Sequence, residues 1–299
     1  MKVIVIAGPT GVGKTKLSVA LAKRLHGEVI NADSTQVYRN LDVATAKVTE
    51  AEKEGVPHHL FDFVDITEDY TVFDYQRDCR KKIDELLARN MTPILVGGTG
   101  LYIKAALYDY QFSKGTKLEQ YPDLNNQELY QKLLQVDPNT QIHKNNRQRI
   151  VRALNYYEET GRPLSQKEKS ETLLYDVCWI GLTTERSYLY ERINRRVDQM
   201  VDQGLITEAK KIYDTNIRSK AVMTPIGYKE LFPYFENQKS LDECLDEIRK
   251  NSRHYAKRQY TWFSHQVPIT WFSVHFEDFS KTIEEVVTYI QKVDKLLEK

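Results

Sequence analysis

The 299 residues are 41% hydrophobic with a formal net charge of +1, which supplies apolar material for one large core or two smaller ones and argues neither for nor against a nucleic-acid partner, so that charge must be sought locally. No run of about 18 apolar residues occurs, so no transmembrane helix is expected, and the chain opens on a functional motif, so no signal peptide is expected either. Cys79, Cys178 and Cys244 are odd in number and widely spaced without a C-x-x-C pair, which argues against a disulfide framework or zinc site and for a cytoplasmic protein.

Val3 to Ile6 is a short, largely β-branched run that reads as a buried strand. Gly8-Pro9-Thr10-Gly11-Val12-Gly13-Lys14-Thr15 then satisfies G-x-x-x-x-G-K-[ST] at every fixed position, and Lys16 to Leu25 follows as a helix with Leu17, Ala20, Leu21 and Leu25 on one side. Strand, glycine loop and helix are the context this motif requires. Glycines let successive backbone N–H groups turn inward on phosphate oxygens, and the helix N-terminus adds partial positive charge. Gly8 to Thr15 are therefore expected to hold a di- or triphosphate, with Lys14 neutralising it and the Thr15 hydroxyl ligating Mg²⁺.

Glu28 to Ser34 reads as a second strand whose end carries Asp33 and Ser34. Ligands of open α/β sheets gather at such ends, yet Asp33 reads equally as a turn-former or helix N-cap. His58-His59 stand in a loop and short strand without a third ligand at metal spacing, so a packed or hydrogen-bonded pair is expected. Val72 to Asn90 predicts a helix with Phe73, Ile83, Leu86 and Leu87 inward and Arg77, Arg80, Lys81 and Lys82 solvated. A third strand, Pro93 to Val96, enters Gly97-Gly98-Thr99-Gly100 and a helix from Leu101. It lacks the terminal Asp that commonly helps hold Mg²⁺ in P-loop NTPases, and no N-K-x-D run supports a G-protein.

From about Phe112 to Glu171 strand signals vanish; Glu128 to Val136 and Asn146 to Glu159 predict amphipathic helices, closed by Gly161-Arg162-Pro163. Within them His143 to Arg152 holds Lys144, Arg147, Arg149 and Arg152 without an acid, either a solvated face or a phosphate or nucleic-acid contact. Tyr175 to Leu182 returns to strand texture, and Ser187 to Gly204 is a helix bearing Arg192, Arg195 and Arg196, guanidinium groups that suit phosphate oxygens bidentately. Arg249 to Arg258 is a second acid-free basic run, leading into Gln259-Tyr260-Thr261-Trp262-Phe263, aromatics suited to base stacking or to the core. A last strand (Pro268 to Phe272) and helix (Ser280 to Leu297) close the chain. The expected fold is α/β: a P-loop NTPase-like parallel sheet core flanked by helices, built from residues 1–112 and 173–299, with an inserted helical domain at 113–172.

GPTGVGKT (Gly8 to Thr15), NADSTQVYRNLDVATAK (Asn31 to Lys47), GGTGLY (Gly97 to Tyr102), RQRIVRAL (Arg147 to Leu154), IGYKE (Ile226 to Glu230) and AKRQYTWF (Ala256 to Phe263) together resemble the tRNA dimethylallyltransferases, in family order across nearly the whole chain. The resemblance implies transfer of a dimethylallyl group from dimethylallyl diphosphate to N6 of the adenosine 3′ to a tRNA anticodon, with Mg²⁺ as cofactor and tRNA and the allylic diphosphate as partners. It implies that Gly8 to Thr15 cradle diphosphate, that Arg196 clamps the leaving group, that Asp33 is the general base and that Thr99 fixes the amine. It further implies tRNA contact by Asp33, Ser34, Thr35, Gln36, Thr99, Gln148, Arg149, Ile150, Val151, Arg152, Lys257 and Arg258. No membrane association and no obligate protein partner are expected. The zinc finger that some eukaryotic relatives carry has no Cys/His array here. A small-molecule or nucleotide kinase using ATP is the rival reading, opposed by the two basic runs.

Overall fold

A computed structural model describes residues 2–112, 121–167 and 172–297. The elements in chain order are β1 (Val3–Ala7), α1 (Lys14–Arg24), β2 (Gly27–Asn31), α2 (Glu50–Lys53), β3 (His58–His59), α3 (Val72–Ala88), β4 (Thr92–Gly97), α4 (Gly100–Leu107), α5 (Asn126–Val136) and α6 (Arg147–Thr160). There follow β5 (Val177–Thr183), α7 (Arg186–Asp202), α8 (Leu205–Asp214), α9 (Lys220–Met223), α10 (Phe232–Phe235), α11 (Leu241–Gln266), β6 (Thr270–Ser273) and α12 (Phe279–Leu297). Two compact units result, one of Met1–Tyr108 with Leu173–Lys299, the other Asp109–Thr172.

In the first unit six strands pair in the order β3-β2-β4-β1-β5-β6, every pair parallel. A parallel sheet is covered on both faces, so its central strands are apolar on both sides; all five residues of β1 are buried. Ile4 and Ile6 join Leu17 and Leu21 of α1, Ile193 of α7 and Val286 of α12 on one face. Val3, Val5 and Ala7 join Tyr75, Cys79 and Ile83 of α3, Ile103 of α4 and Phe263 of α11 on the other. A third cluster ties Val37, Tyr38 and Leu41 to Leu205 and Ala209 of α8, to Tyr228 and to Ile248 of α11. Phe263, fully buried, belongs to the core rather than to a stacking platform.

Two residues of α3 depart from the helical reading. Phe73 is 55% exposed, because the buried stripe begins at Tyr75 and runs through Cys79, Ile83 and Leu86. Arg80 is not simply solvated: its guanidinium donates to the carbonyls of Ala105, Ala106 and Tyr108, closing the C-terminal end of α4, where unpaired carbonyls favour a cation.

The second unit packs α5 on α6 through Leu129, Leu133, Ile150, Val151, Ala153 and Leu154. Asn125 caps α5 with a reciprocal bond from Glu128, and Asp137 accepts from both N and Oγ of Ser165. Ser113, where the insertion is expected to begin, and residues 168–171 near its end lie outside the described residues. Among the described residues no helix is long and apolar enough to cross a membrane.

Candidate active site

The loop joining β1 to α1 has the backbone that its glycines permit: Gly8, Gly11 and Gly13 sit at φ +141°, +80° and +100°. A Cβ on Gly8 would stand 2.5 Å from the Leu182 carbonyl oxygen, so no other residue fits there. Val12 is buried in the core, leaving only its backbone to serve the loop. Lys14 Nζ donates to the carbonyls of Gly8 (3.0 Å) and Pro9 (2.8 Å). Burial first and the neighbouring Arg196 second push the Lys14 ammonium down to about 8, with Asp33 opposing. Arg196 donates to Thr10 Oγ1 at 3.1 Å, and Arg192 donates from Nε to the Gly11 carbonyl at 3.2 Å while its guanidinium lies 4.0 Å over the Phe276 ring. Burial lowers the Arg196 pKa, against support from Glu52 and Asp33. Two partly desolvated cations, Lys14 at the end of the loop and Arg196 reaching it from α7, make a site for an anion. Thr15 is exposed at the start of α1.

β2 ends at the buried Asn31, whose Oδ1 accepts from Asp33 N (2.8 Å) and whose Nδ2 donates to the carbonyls of Asp33 and Leu60. The turn is thereby fixed with Asp33 past the strand end. Asp33 Oδ1 accepts from the backbone N and Oγ1 of Thr35 at 3.0 and 2.7 Å, which leaves Oδ2 uncommitted among the described residues. Ser34 N donates to Thr99 Oγ1 at 3.0 Å, and Thr99 Oγ1 lies 3.3 Å from Ser34 Oγ. Gln36 Nε2 donates to the carbonyls of Thr45 and Ala46.

Gln259 joins the two loops, a role that no spacing rule revealed. Its Oε1 accepts from Thr10 N at 2.9 Å, and its Nε2 donates to the Gly98 carbonyl at 3.2 Å. The Tyr255 hydroxyl shares hydrogen bonds with Thr99 and Gln259, and burial raises its pKa. A Cβ on Gly98 would strike the Gln259 amide. The signal available in the sequence was Gln259's place inside AKRQYTWF, one turn beyond Tyr255.

A cavity of about 1300 Å³ gathers most of the expected residues of this unit. Thr10, Gly11, Gly13, Lys14 and Thr15 line it with Asp33, Ser34, Thr35 and Gln36, and Arg196 and Arg258 complete the wall. Thr99 is not on the wall but behind Ser34, so it reaches the cavity through Ser34 and Tyr255. Lys257 is exposed, and the Arg258 guanidinium lies 5.6 Å from the Tyr255 ring.

In the helical unit Gln148, Arg149 and Arg152 are exposed on α6. Ile150 and Val151 are 0% and 1% exposed in that unit's core, a correction to the expectation that the whole run meets tRNA: their side chains hold α6 to α5. Arg147 is likewise structural, donating to the carbonyls of Leu124 and Tyr121. His58 Nδ1 bonds the Val56 carbonyl and His59 Nε2 bonds Glu28 at 2.5 Å. Among the described residues no group of His, Cys, Asp and Glu could hold a metal ion by itself.

The family described as IPP transferase matches residues 36–266. The chain is 48% identical to the tRNA dimethylallyltransferase of Geobacillus kaustophilus over 302 residues, covering 97% of this chain and 96% of the relative. It is 46% identical to the enzyme of that name from Anoxybacillus flavithermus over 303 residues, with the same coverages. The solved tRNA isopentenylpyrophosphate transferase of Bacillus halodurans is 43% identical with a TM-score of 0.75, covering 100% of this chain and 99% of that one. A eukaryotic dimethylallyltransferase acting on tRNA is 30% identical with a TM-score of 0.86, covering 100% of this chain and 80% of that one. Likeness of this extent, over a cavity that brings a cationic glycine loop against a carboxylate, places the chain in the IPP transferase family: it is a tRNA prenyltransferase of the tRNA dimethylallyltransferase group.

Proposed function

We propose that the protein transfers a dimethylallyl group from dimethylallyl diphosphate to the exocyclic N6 of the adenosine 3′ to a tRNA anticodon, releasing diphosphate. The observation that carries this reading is the meeting, on one cavity, of Lys14 and Arg196 with a carboxylate that keeps one oxygen uncommitted. The glycine loop would hold the diphosphate through its backbone N–H groups, Lys14 and Arg196. As N6 forms its bond to the allylic C1, the C–O bond breaks with its electron pair passing to diphosphate, and the N6 proton passes to Asp33. An aromatic amine is a weak nucleophile, and a positioned base contributes about 10²–10⁴-fold. Asn31 and Thr35 hold that base, and Thr99 steadies it through Ser34.

The exposed Thr15 hydroxyl at the head of α1, a hard oxygen donor, fits Mg²⁺. When bound, the ion would add positive charge where the leaving oxygen gains negative charge. The base must leave the anticodon stack, at a cost of about a few kcal/mol in a single-stranded loop. Ser34 and Gln36 would receive it, while Gln148, Arg149 and Arg152 of the helical unit and Lys257 and Arg258 of α11 would take flanking nucleotides and backbone. The three free, buried cysteines suit the cytoplasm, where tRNA is matured.

Purified protein, Mg²⁺ and unmodified tRNA are incubated with dimethylallyl diphosphate or with ATP, and the digested nucleosides are weighed. A five-carbon gain on adenosine with the allylic donor alone is the expected result. ATP consumption on a small acceptor, with tRNA unchanged, would refute it.

A further inference from the structure

Glu208, in the first turn of α8, belongs to none of the loops above. Its carboxylate gathers the backbone N–H groups of Asp42 (3.1 Å), Val43 (3.1 and 2.9 Å) and Ala44 (3.1 Å). Consecutive N–H groups converging on one point form a nest of the kind that binds phosphate; here the anion is built in. The Tyr228 hydroxyl donates to the same carboxylate at 2.7 Å, and its own burial and the adjacent charge keep that phenol protonated.

The segment so held carries the partners of Gln36. Thr45 and Ala46 supply the carbonyls that accept from Gln36 Nε2, at 2.9 and 3.2 Å. Thr45 Oγ1 closes back on the Leu41 carbonyl, and Lys47 pins the far end to Tyr38 O, Asp42 and Asp62. A side-chain amide has two N–H hydrogens, and both face carbonyls here. What Gln36 has left to offer is Oε1, an acceptor. Turning the amide over would set Oε1 against two carbonyl oxygens, so the orientation lasts as long as residues 42–46 stay in place.

We propose that Glu208 is a positioning residue for acceptor selection: by anchoring residues 42–46 it fixes Gln36 as an acceptor, which selects a purine presenting an exocyclic amine over one presenting a carbonyl oxygen. This rests on the reading of the acceptor as adenosine. One amine hydrogen goes to Asp33 in the reaction and the other is available to Gln36. A purine with a carbonyl at that place brings acceptor against acceptor, leaving both unpaired.

The test is binding of synthetic anticodon stem-loops carrying adenosine or inosine at the target position to wild type, Glu208→Gln, Gln36→Leu and the double variant, with inorganic diphosphate affinity measured on the same preparations. Wild type should favour adenosine by about tenfold or more, the worth of one hydrogen bond made against one lost. Each single variant should reduce that preference to about two- to threefold, the double variant no further, because residues acting through one contact are not additive. Diphosphate affinity should stay within about twofold throughout, since the glycine loop shares no bond with Glu208. Glu208→Gln that keeps the preference, losses that multiply in the double variant, or diphosphate affinity falling in step would each overturn the proposal. Tyr228→Phe, which removes a single donor, serves if Glu208→Gln does not fold; it should lower the preference by about threefold, and an unchanged preference would count against the role. The two readings fail differently. A wild-type protein that prenylates no tRNA sinks the function, whereas one that prenylates tRNA but binds the adenosine and inosine stem-loops equally well overturns the role of Gln36 and Glu208 alone.

Discussion

Raising the pH from 7 to 9 should weaken the hold on diphosphate through one group, Lys14. Burial and Arg196 set its pKa at about 8 in the free protein. Lys14 is then about 90% protonated at pH 7, half at pH 8 and about 10% at pH 9. A bound diphosphate favours the ammonium and restores it, so binding should take up about 0.1, 0.5 and 0.9 protons at those pH values. Affinity should fall about fivefold between pH 8 and 9, following the protonated fraction. The stability of the ligand-free protein responds with the opposite sign. Between about 8 and the ordinary 10.5 the unfolded chain holds a proton on Lys14 that the folded chain does not, so this group's contribution to stability rises with pH across that window. Calorimetric titration of Mg²⁺-diphosphate in two buffers of different ionisation enthalpy gives the proton uptake directly, with Lys14→Met as the control that should abolish it. No uptake at pH 8, or equal uptake in Lys14→Met, would refute the assignment of the cationic loop to the diphosphate.

Asp33→Asn keeps the turn-holding oxygen but not the base, and should lower kcat by about 10²–10⁴-fold while tRNA affinity changes little; single-turnover kinetics beside a filter-binding isotherm separate the two, and equal losses would remove the role. Arg149→Ala should raise the KM for tRNA and reduce the slope of log K against log salt by about one, at unchanged KM for the allylic donor. Gly98→Ala drives a methyl into the Gln259 amide; it should destabilise by about 1–3 kcal/mol in urea unfolding and reduce turnover through displaced Thr99, and a fully active, fully stable variant would show that the contact is slack.

Much of the chain could be read from local pattern. β1, the glycine loop and α1 follow from Val3 to Arg24 because each residue type there has one cheap backbone solution. Other features depend on partners distant in sequence. Nothing in the α3 pattern says that Arg80 closes another helix, since the carbonyls that it caps are supplied by Ala105, Ala106 and Tyr108. HKNNRQRIVR reads as one basic run, yet a helix divides it by face: Arg149 and Arg152 go outward while Ile150 and Val151 enter the core. Gln259 illustrates the limit best. A glutamine in a basic helix has no local signature, and its meaning comes from lying within 2.9 Å of Thr10 N and 3.2 Å of Gly98 O, residues far off in the chain.

The substrate proposed above, an allylic diphosphate rather than ATP, gives the end of β4 a physical reason. In phosphoryl-transfer enzymes of related architecture a strand-end Asp helps hold the metal beside the phosphate to be cut. Here β4 ends at Gly97 and runs into Gly98, both packed so tightly that a Cβ on Gly97 would overlap the Ala32 backbone and one on Gly98 the Gln259 amide. A carboxylate has no room there; a neutral amide occupies the space and bonds the glycine loop instead. In allylic transfer the diphosphate departs whole, its charge growing as the C–O bond lengthens. A second carboxylate beside it would oppose that charge, while Lys14 and Arg196 support it. Asp33 sits on the neighbouring loop, where the reaction proposed above would release the proton of the attacking amine. Lys14 at the end of the glycine loop and Arg196 on α7 stand where the proposed reaction would seat its leaving group, and Asp33 stands on the loop after β2, with the uncharged Gln259 and Tyr255 between them.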